Sequence, residues 1–274
     1  MFDEYYKKVR DKVPLVHCIT NYVTVNDCAN ALLACGASPI MADDEGEVEE
    51  ITSICSALDI NIGTLNSRTI ESMLKAGRKA NELSHPVILD PVGAGASSLR
   101  TSTAMRLIDS IGFSVIRGNF SEIKTLATGS GSTKGVDADA NDSITVETLD
   151  EAVVFAKNLS KKTGSVIAIT GASDIVADSS SAYIIHNGHP LMSKISGTGC
   201  MLSAIIAAYC GAAPDSLLPA VAAAVGMMGI SGEIAYEKVL KENAGTSTYR
   251  MYIIDEISKL DAAALSGGLK IEIR

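Results

Sequence analysis

A layered α/β domain, with helices over both faces of a mostly parallel sheet, is the fold class this sequence predicts, on three observations. Short β-branched runs alternate with longer stretches of helical periodicity along the chain. Several runs, such as Val-Ile-Leu at 87–89 and Val-Ile-Ala-Ile at 166–169, are apolar throughout, as a parallel strand covered by helices on both sides must be. The composition supplies a suitable interior. Of the 274 residues 47% are apolar, with 8 Tyr, 4 Phe and no Trp, so Ala, Leu, Ile, Val and Met build the core.

In chain order, strands are expected at 15–19, 38–41, 60–62, 87–89, 115–116, 166–169, 174–177 and 182–186. Between and after them, helices are expected at 23–33, 47–57, 69–81, 101–109, 149–161, 200–212, 217–242 and 249–260, so that the C-terminal third closes the domain with helices. The acidic run from Asp43 to Glu50 suits a solvated helix start, because carboxylates favour the first turn. Gly226, Gly229 and Gly232 form a stripe at i+3 spacing, which suits close helix packing. Residues 128–143 are Gly, Ser and Asp almost throughout and read as a surface loop. The same β/α rhythm continues on both sides of this loop, so residues 1–274 are expected to form one domain.

The composition also excludes partners. The formal charge of −9, and the lack of any Lys/Arg cluster longer than Lys7-Lys8 or Lys161-Lys162, argue against nucleic acid, which needs a basic face. The apolar stretch 200–212 is shorter than the roughly 20 residues that cross a bilayer, and no membrane association is expected. The six cysteines lack CxxC and Cys/His ligand spacings, which argues against zinc. With no apolar leader at the N-terminus, they are expected to be reduced, buried thiols in a cytoplasmic protein. His17, His85, His186 and His189 show no ligand or triad spacing and are expected to be structural or solvent-facing.

Ligands of open parallel sheets bind beyond the carboxyl ends of the strands, and four polar segments lie there. Ser196-Gly197-Thr198-Gly199-Cys200 precedes a long apolar helix. Its glycines admit a close ligand, and the helix start presents unpaired N–H groups and a positive dipole end. The dipole of such a helix start can lower the pKa of the Cys200 thiol; the equal alternative is an ordinary N-capped turn with Cys200 in the core. Asp90-Pro91-Val92-Gly93-Ala94-Gly95 lacks the acidic partner of a dinucleotide fingerprint; a carboxylate before a glycine loop suits Mg²⁺, or a simple turn. Arg117, at a strand end, suits a phosphate fork. Glu122 suits either a hydrated metal or a capping box with Asn119. Thr170-Gly171 lines a nucleotide or makes a turn. The stretch from Gly129 to Gly135 is no phosphate-binding loop of the Walker type, which needs four residues between its first glycine and a Gly-Lys pair.

Taken together, Val16-His17-Cys18-Ile19-Thr20-Asn21-Tyr22-Val23, Gly36-Ala37-Ser38-Pro39-Ile40-Met41-Ala42, Leu89-Asp90-Pro91-Val92-Gly93-Ala94, Arg117-Gly118-Asn119, Glu122-Ile123, Ile169-Thr170-Gly171 and Gly197-Thr198-Gly199-Cys200 resemble the hydroxyethylthiazole kinases of the ribokinase-like superfamily. The resemblance implies a three-layer αβα sandwich. It also implies phosphoryl transfer from ATP, with Mg²⁺, to the primary alcohol of 4-methyl-5-(2-hydroxyethyl)thiazole, a thiamine salvage step. By resemblance Thr198, Gly199 and Cys200 serve catalysis, while Met41, Gly197 and Asn26 bind the thiazole. Arg117 and Thr170 bind ATP, and Asp90 and Glu122 act on the metal. Homotrimers with sites at subunit contacts are implied in the same way. Most members of the superfamily carry Asp where this chain has Cys200. The alternatives are a hydroxymethylpyrimidine or other small-alcohol kinase of the superfamily, or a non-catalytic nucleotide-binding regulator.

Overall fold

A computed structural model describes residues 2–129 and 148–274. Among these, nine strands form one sheet in the order β2-β1-β3-β4-β5-β6-β7-β8-β9. The strands are β1 (Leu15–Ile19), β2 (Ser38–Met41), β3 (Ala57–Asn61), β4 (Val87–Asp90), β5 (Val115–Asn119), β6 (Val166–Thr170), β7 (Asp174–Ala177), β8 (Ala182–Ile185) and β9 (Ile271–Ile273). The first six run parallel, and the last three are added antiparallel. The mostly parallel sheet follows from the apolar strands: Leu58, Ile88, Ile116 and Ile167 are wholly or almost wholly buried in neighbouring strands.

Helices cover both faces. One core packs α1 (Asp3–Lys12), α2 (Val25–Cys35), α8 (Thr198–Ala212), α9 (Leu217–Glu242), α10 (Thr246–Lys259) and α11 (Ala262–Gly268) on the face carrying Val16, Cys18 and Ala57. The other packs α3 (Val48–Ile54), α4 (Ser67–Glu82), α5 (Ser98–Ser110), α6 (Phe120–Thr128) and α7 (Leu149–Thr163) on the face carrying Leu58 and Ile60. Helix α9 is long and apolar enough to span a bilayer by composition, which the sequence reading passed over; here most of its apolar part is buried as a core helix. Its glycine stripe does serve packing. A Cβ on Gly229 would lie 2.7 Å from the Cβ of Asn187, and Gly226 and Gly232 abut Leu269 and Met192 in the same way.

Three sequence expectations need correction. The helix expected at 47–57 stops at Ile54, because Ala57 pairs with Val16 and already belongs to β3. Strand β3 starts three residues earlier than expected, since Asp59 interrupts its apolar pattern yet is itself buried in the sheet. Helices α1 and α11 and strand β9 were not anticipated. In α1, Tyr5, Tyr6 and Val9 form a short buried stripe among charged residues. Of the loop expected at 128–143, Thr128 closes α6 and Gly129 caps it with φ 73°; residues 130–143 lie outside the described residues.

The chain leaves β1 for β2 on one side and returns to β3 on the other. This reversal opens a crevice at the carboxyl ends of β1 and β3, the place where such sheets bind ligands.

Candidate active site

Two adjoining cavities, of about 700 and 480 Å³, open at that edge and share Arg117, Ser193, Thr198 and Gly199. The partition between them is the turn into α8. Gly197 sits at φ 98°, where a side chain is strained, and a Cβ there would lie 2.5 Å from Thr24 Cγ2. No side chain caps α8, so the N–H groups of its first turn are open toward the cavities. Gly199 has a second reason to be glycine: a Cβ would meet the Arg117 guanidinium, 2.7 Å from Nη2. The cradle is therefore built of amides with a cation packed against them.

A hydrogen-bonded chain crosses the site. Asn21 Nδ2 donates to Cys200 Sγ at 3.2 Å and to Asn61 Oδ1 at 3.1 Å. Asn61 Nδ2 and Ser203 Oγ each donate to Asp90 Oδ2 at 2.9 Å. Arg117 reaches the same oxygen at 3.4 Å through Nη1, and donates through Nη2 to Thr170 Oγ1 at 2.6 Å. Asp90 is fully buried, and its other oxygen, Oδ1, has no hydrogen-bond partner among the described residues. Asn61 and Asp90 come together because they face each other in register at the ends of β3 and β4.

Glu122 fulfils the capping-box alternative. Its N–H donates to Asn119 Oδ1 at 2.9 Å, and its Oε2 accepts from Asn119 N at 2.8 Å. It also ties in the glycine loop after β4, accepting from Gly93 N at 2.7 Å. Burial, helped by the Asp90 charge, pushes its pKa up to about 7. Burial likewise raises that of Asp90, against the pull of Arg117, Ser203 and Asn61. Asp59, on the same face of β3 as Asn61, is wholly buried with neither oxygen bonded; burial and then Asp90 hold its pKa well above the carboxylate range.

Of the two readings of Cys200, the buried core thiol is the one that holds. Burial first, and then the negative charge of Asp90, push Cys200 up to about 11, so at neutral pH it is a thiol. The helix dipole is outweighed because the sulfur is removed from water. All six cysteines are buried and unpaired.

Eight of the ten residues singled out in the sequence meet here. Asp90, Glu122, Gly197 and Cys200 line the larger cavity, Thr170 the smaller, and Arg117, Thr198 and Gly199 both. Met41 and Asn26 are not brought in by this chain. Met41 ends the edge strand β2, and Asn26 is exposed on α2. Sequence reasoning missed Asn21, Asn61 and Ser203, which join the hydrogen-bonded chain, and did not single out Arg100 and Asp174, which line the cavities. Asn61 and Asn21 lie at or just past strand ends and were detectable by the rule that found Asp90; Ser203, inside a helix, carried no signal. Of the histidines, His17 is a core residue bonded to Thr52 Oγ1 at 2.9 Å and Ala42 O at 2.8 Å. His189 lines the smaller cavity, stacked on Tyr236 with ring centroids 3.4 Å apart.

Comparison with known proteins gives a consistent result. The model of the hydroxyethylthiazole kinase family matches residues 6–263. A hydroxyethylthiazole kinase of Clostridium acetobutylicum is 63% identical over 99% of both chains, and one of Clostridium beijerinckii is 54% identical over 97% of this chain and 94% of its own. The solved structure of a hydroxyethylthiazole kinase from Pyrococcus horikoshii, 36% identical, matches 100% of this chain and 98% of its own with a TM-score of 0.88. An ADP complex of Bacillus subtilis pyridoxal kinase, 17% identical, shares the fold alone, with a TM-score of 0.57 over 79% of this chain and 90% of its own.

Proposed function

Because the chain belongs to the hydroxyethylthiazole kinase family, we propose that it moves the terminal phosphoryl group of ATP onto the primary hydroxyl of 4-methyl-5-(2-hydroxyethyl)thiazole at the turn between its two cavities. The hydrogen-bonded chain from Cys200 to Thr170 carries this reading, since it ties an acceptor-side group to a nucleotide-side group across the amide cradle. The larger cavity takes the alcohol and the transferring phosphate, and the smaller takes the rest of the nucleotide.

Phosphoryl transfer needs positioning and charge stabilisation more than a strong base. The amides of Thr198, Gly199 and Cys200, with Arg117 against them, stabilise charge on the migrating group. Cys200, a thiol held through its sulfur by Asn21, orients the attacking hydroxyl rather than deprotonating it. Met41, Gly197 and Asn26 hold the thiazole, and Arg117 and Thr170 the nucleotide.

Asp90 and Glu122 suit Mg²⁺. The unpartnered, buried Oδ1 of Asp90 is an available hard ligand, and Glu122, whose oxygens both already accept an N–H, acts through water. The ion, when bound, neutralises phosphate charge. Asp90 and Glu122 anchor it, and Asn61 and Ser203 orient Asp90.

A homotrimer with sites at subunit contacts is supported by the residues one chain leaves outside its cavities. Met41 lies on an edge strand, and Val23 (61%), which lines the larger cavity, is exposed beside Tyr22 (79%), so a neighbouring copy completes the thiazole end. The continuous sheet supports reading residues 1–274 as one kinase domain, and six unpaired cysteines suit the reducing cytoplasm.

A coupled assay with the thiazole alcohol and Mg-ATP tests the activity, and formation of the thiazole phosphate is the expected outcome. Preference for hydroxymethylpyrimidine overturns the substrate, and ATP binding without product overturns the enzyme.

A further inference from the structure

The smaller cavity contains one acidic side chain for which the mechanism has no use. Asp174 opens β7, half-buried in the cavity wall, and its Oδ1 accepts from Gly171 N at 2.9 Å. Its Oδ2 has no partner among the described residues. The other polar side chains of the wall each already hold a partner within the protein. Asn187 donates to Gly268 O at 2.9 Å and accepts from Lys270 N at 2.8 Å. Ser193 Oγ donates to Pro190 O at 2.8 Å, and Thr198 Oγ1 to Met192 O at 3.4 Å. Thr170 receives Arg117, and His189 Nδ1 accepts from Leu191 N at 3.1 Å.

Position and chemistry narrow what this oxygen reads. A carboxylate beside a polyphosphate repels it, so its ligand there is a neutral donor. The proposed mechanism puts the phosphates where the cavities join, at the shared residues Arg117, Thr198 and Gly199. Asp174 is linked to that junction through Gly171 and Thr170, whereas the apolar wall of Val225, Met228 and Gly229 suits a base. In a nucleotide the group next to the phosphates is the sugar. We propose that Asp174 is the residue by which this kinase recognises the ribose of its phosphate donor, its Oδ2 accepting from a ribose hydroxyl, as carboxylates do at other nucleotide sites. This rests on the nucleotide occupying the smaller cavity.

The test compares ATP with 2′-deoxy-ATP, 3′-deoxy-ATP and ITP in the wild-type enzyme, and then in Asp174→Ala and Asp174→Asn. At about pH 8, where Asp174 is mostly ionised, loss of one sugar hydroxyl is expected to lower kcat/KM about 10- to 100-fold, the range of a hydrogen bond to a charged group. Asp174→Ala is expected to lower kcat/KM for ATP by a similar factor and to remove the discrimination, leaving KM for the thiazole unchanged. Asp174→Asn keeps an acceptor for Gly171 N and controls for the turn. A wild type that uses both deoxynucleotides as well as ATP overturns the proposal while leaving the kinase reading intact. Discrimination against ITP alone also overturns it, because the carboxylate then reads the base amine. If no thiazole phosphate forms at all, the activity reading fails, and calorimetric binding of ATP against the deoxynucleotides still decides the role of Asp174.

Discussion

Gly199→Ala separates the function of the cradle from its stability. Gly199 lies in the first turn of α8, away from the left-handed region, so its backbone accommodates alanine, and Ala in place of Gly favours a helix by about 0.5–1 kcal/mol. The added methyl, however, falls 2.7 Å from Arg117 Nη2 and 2.9 Å from its Cζ. Nη1 lies closer still, so ordinary contact requires the guanidinium to withdraw by roughly 1 Å or more. That retreat loosens the bonds to Thr170 and Asp90 and moves the cation away from the transferring phosphate. A misplacement of about 1 Å at a reacting centre costs on the order of 10²-fold. The variant is therefore expected to keep its Tm, or gain slightly, while kcat/KM for ATP falls about 100-fold and KM for the thiazole hardly moves. Steady-state kinetics with both substrates varied, beside thermal unfolding, measures both. Arg117→Ala should lower the rate by about 10²–10³-fold, and the double variant should be little worse, because both changes remove the same placed cation. Wild-type kinetics in Gly199→Ala would refute the inference that Arg117 acts from this position.

Four further outcomes follow from the same geometry. Gly197→Ala forces a side chain to φ 98° and against Thr24, so it should destabilise by about 1–3 kcal/mol and lower Tm, unlike its neighbour at 199. Cys200→Ala should lower turnover, whereas Cys200→Asp, which restores a carboxylate, should preserve or raise it; equal rates for Cys200→Ala and wild type remove Cys200 from the mechanism. With its thiol at about 11, Cys200 contributes no limb to the pH–rate profile between about pH 6 and 9, and Cys200→Ser should leave the shape of that profile unchanged. Glu122 and Asp174 are both raised to about 7 by burial, so between about pH 4 and 7 the folded protein holds more protons than the unfolded chain. Stability without ligands should therefore fall as pH rises through that window, and urea midpoints for Glu122→Gln should fall less steeply.

The strand-end rule exposed Asp90, Arg117 and Thr170 because each closes or nearly closes an apolar run that the eye finds. It missed Asn61 because Asp59, an acidic residue inside a fully buried strand, disguised the start of β3. Ser203 was invisible, since only the passage of α8 beneath β4 brings a helix-interior hydroxyl to Asp90. The state of the thiol was not legible for a related reason: sequence displays the helix turn, but not the burial or the neighbouring carboxylate that oppose it. Capping, by contrast, is local, and Asn119 with Glu122 was legible three residues apart. Met41 and Asn26 rest on family resemblance alone, because neither lines a cavity formed by this chain.

A structure with the thiazole alcohol and a non-hydrolysable ATP analogue tests the cradle most directly. The terminal phosphorus should sit within hydrogen-bonding reach of the amides of 198–200, with Arg117 on its flank and the alcohol oxygen beside Cys200. A terminal phosphate lodged elsewhere, with those amides facing only water, would contradict the proposed mechanism.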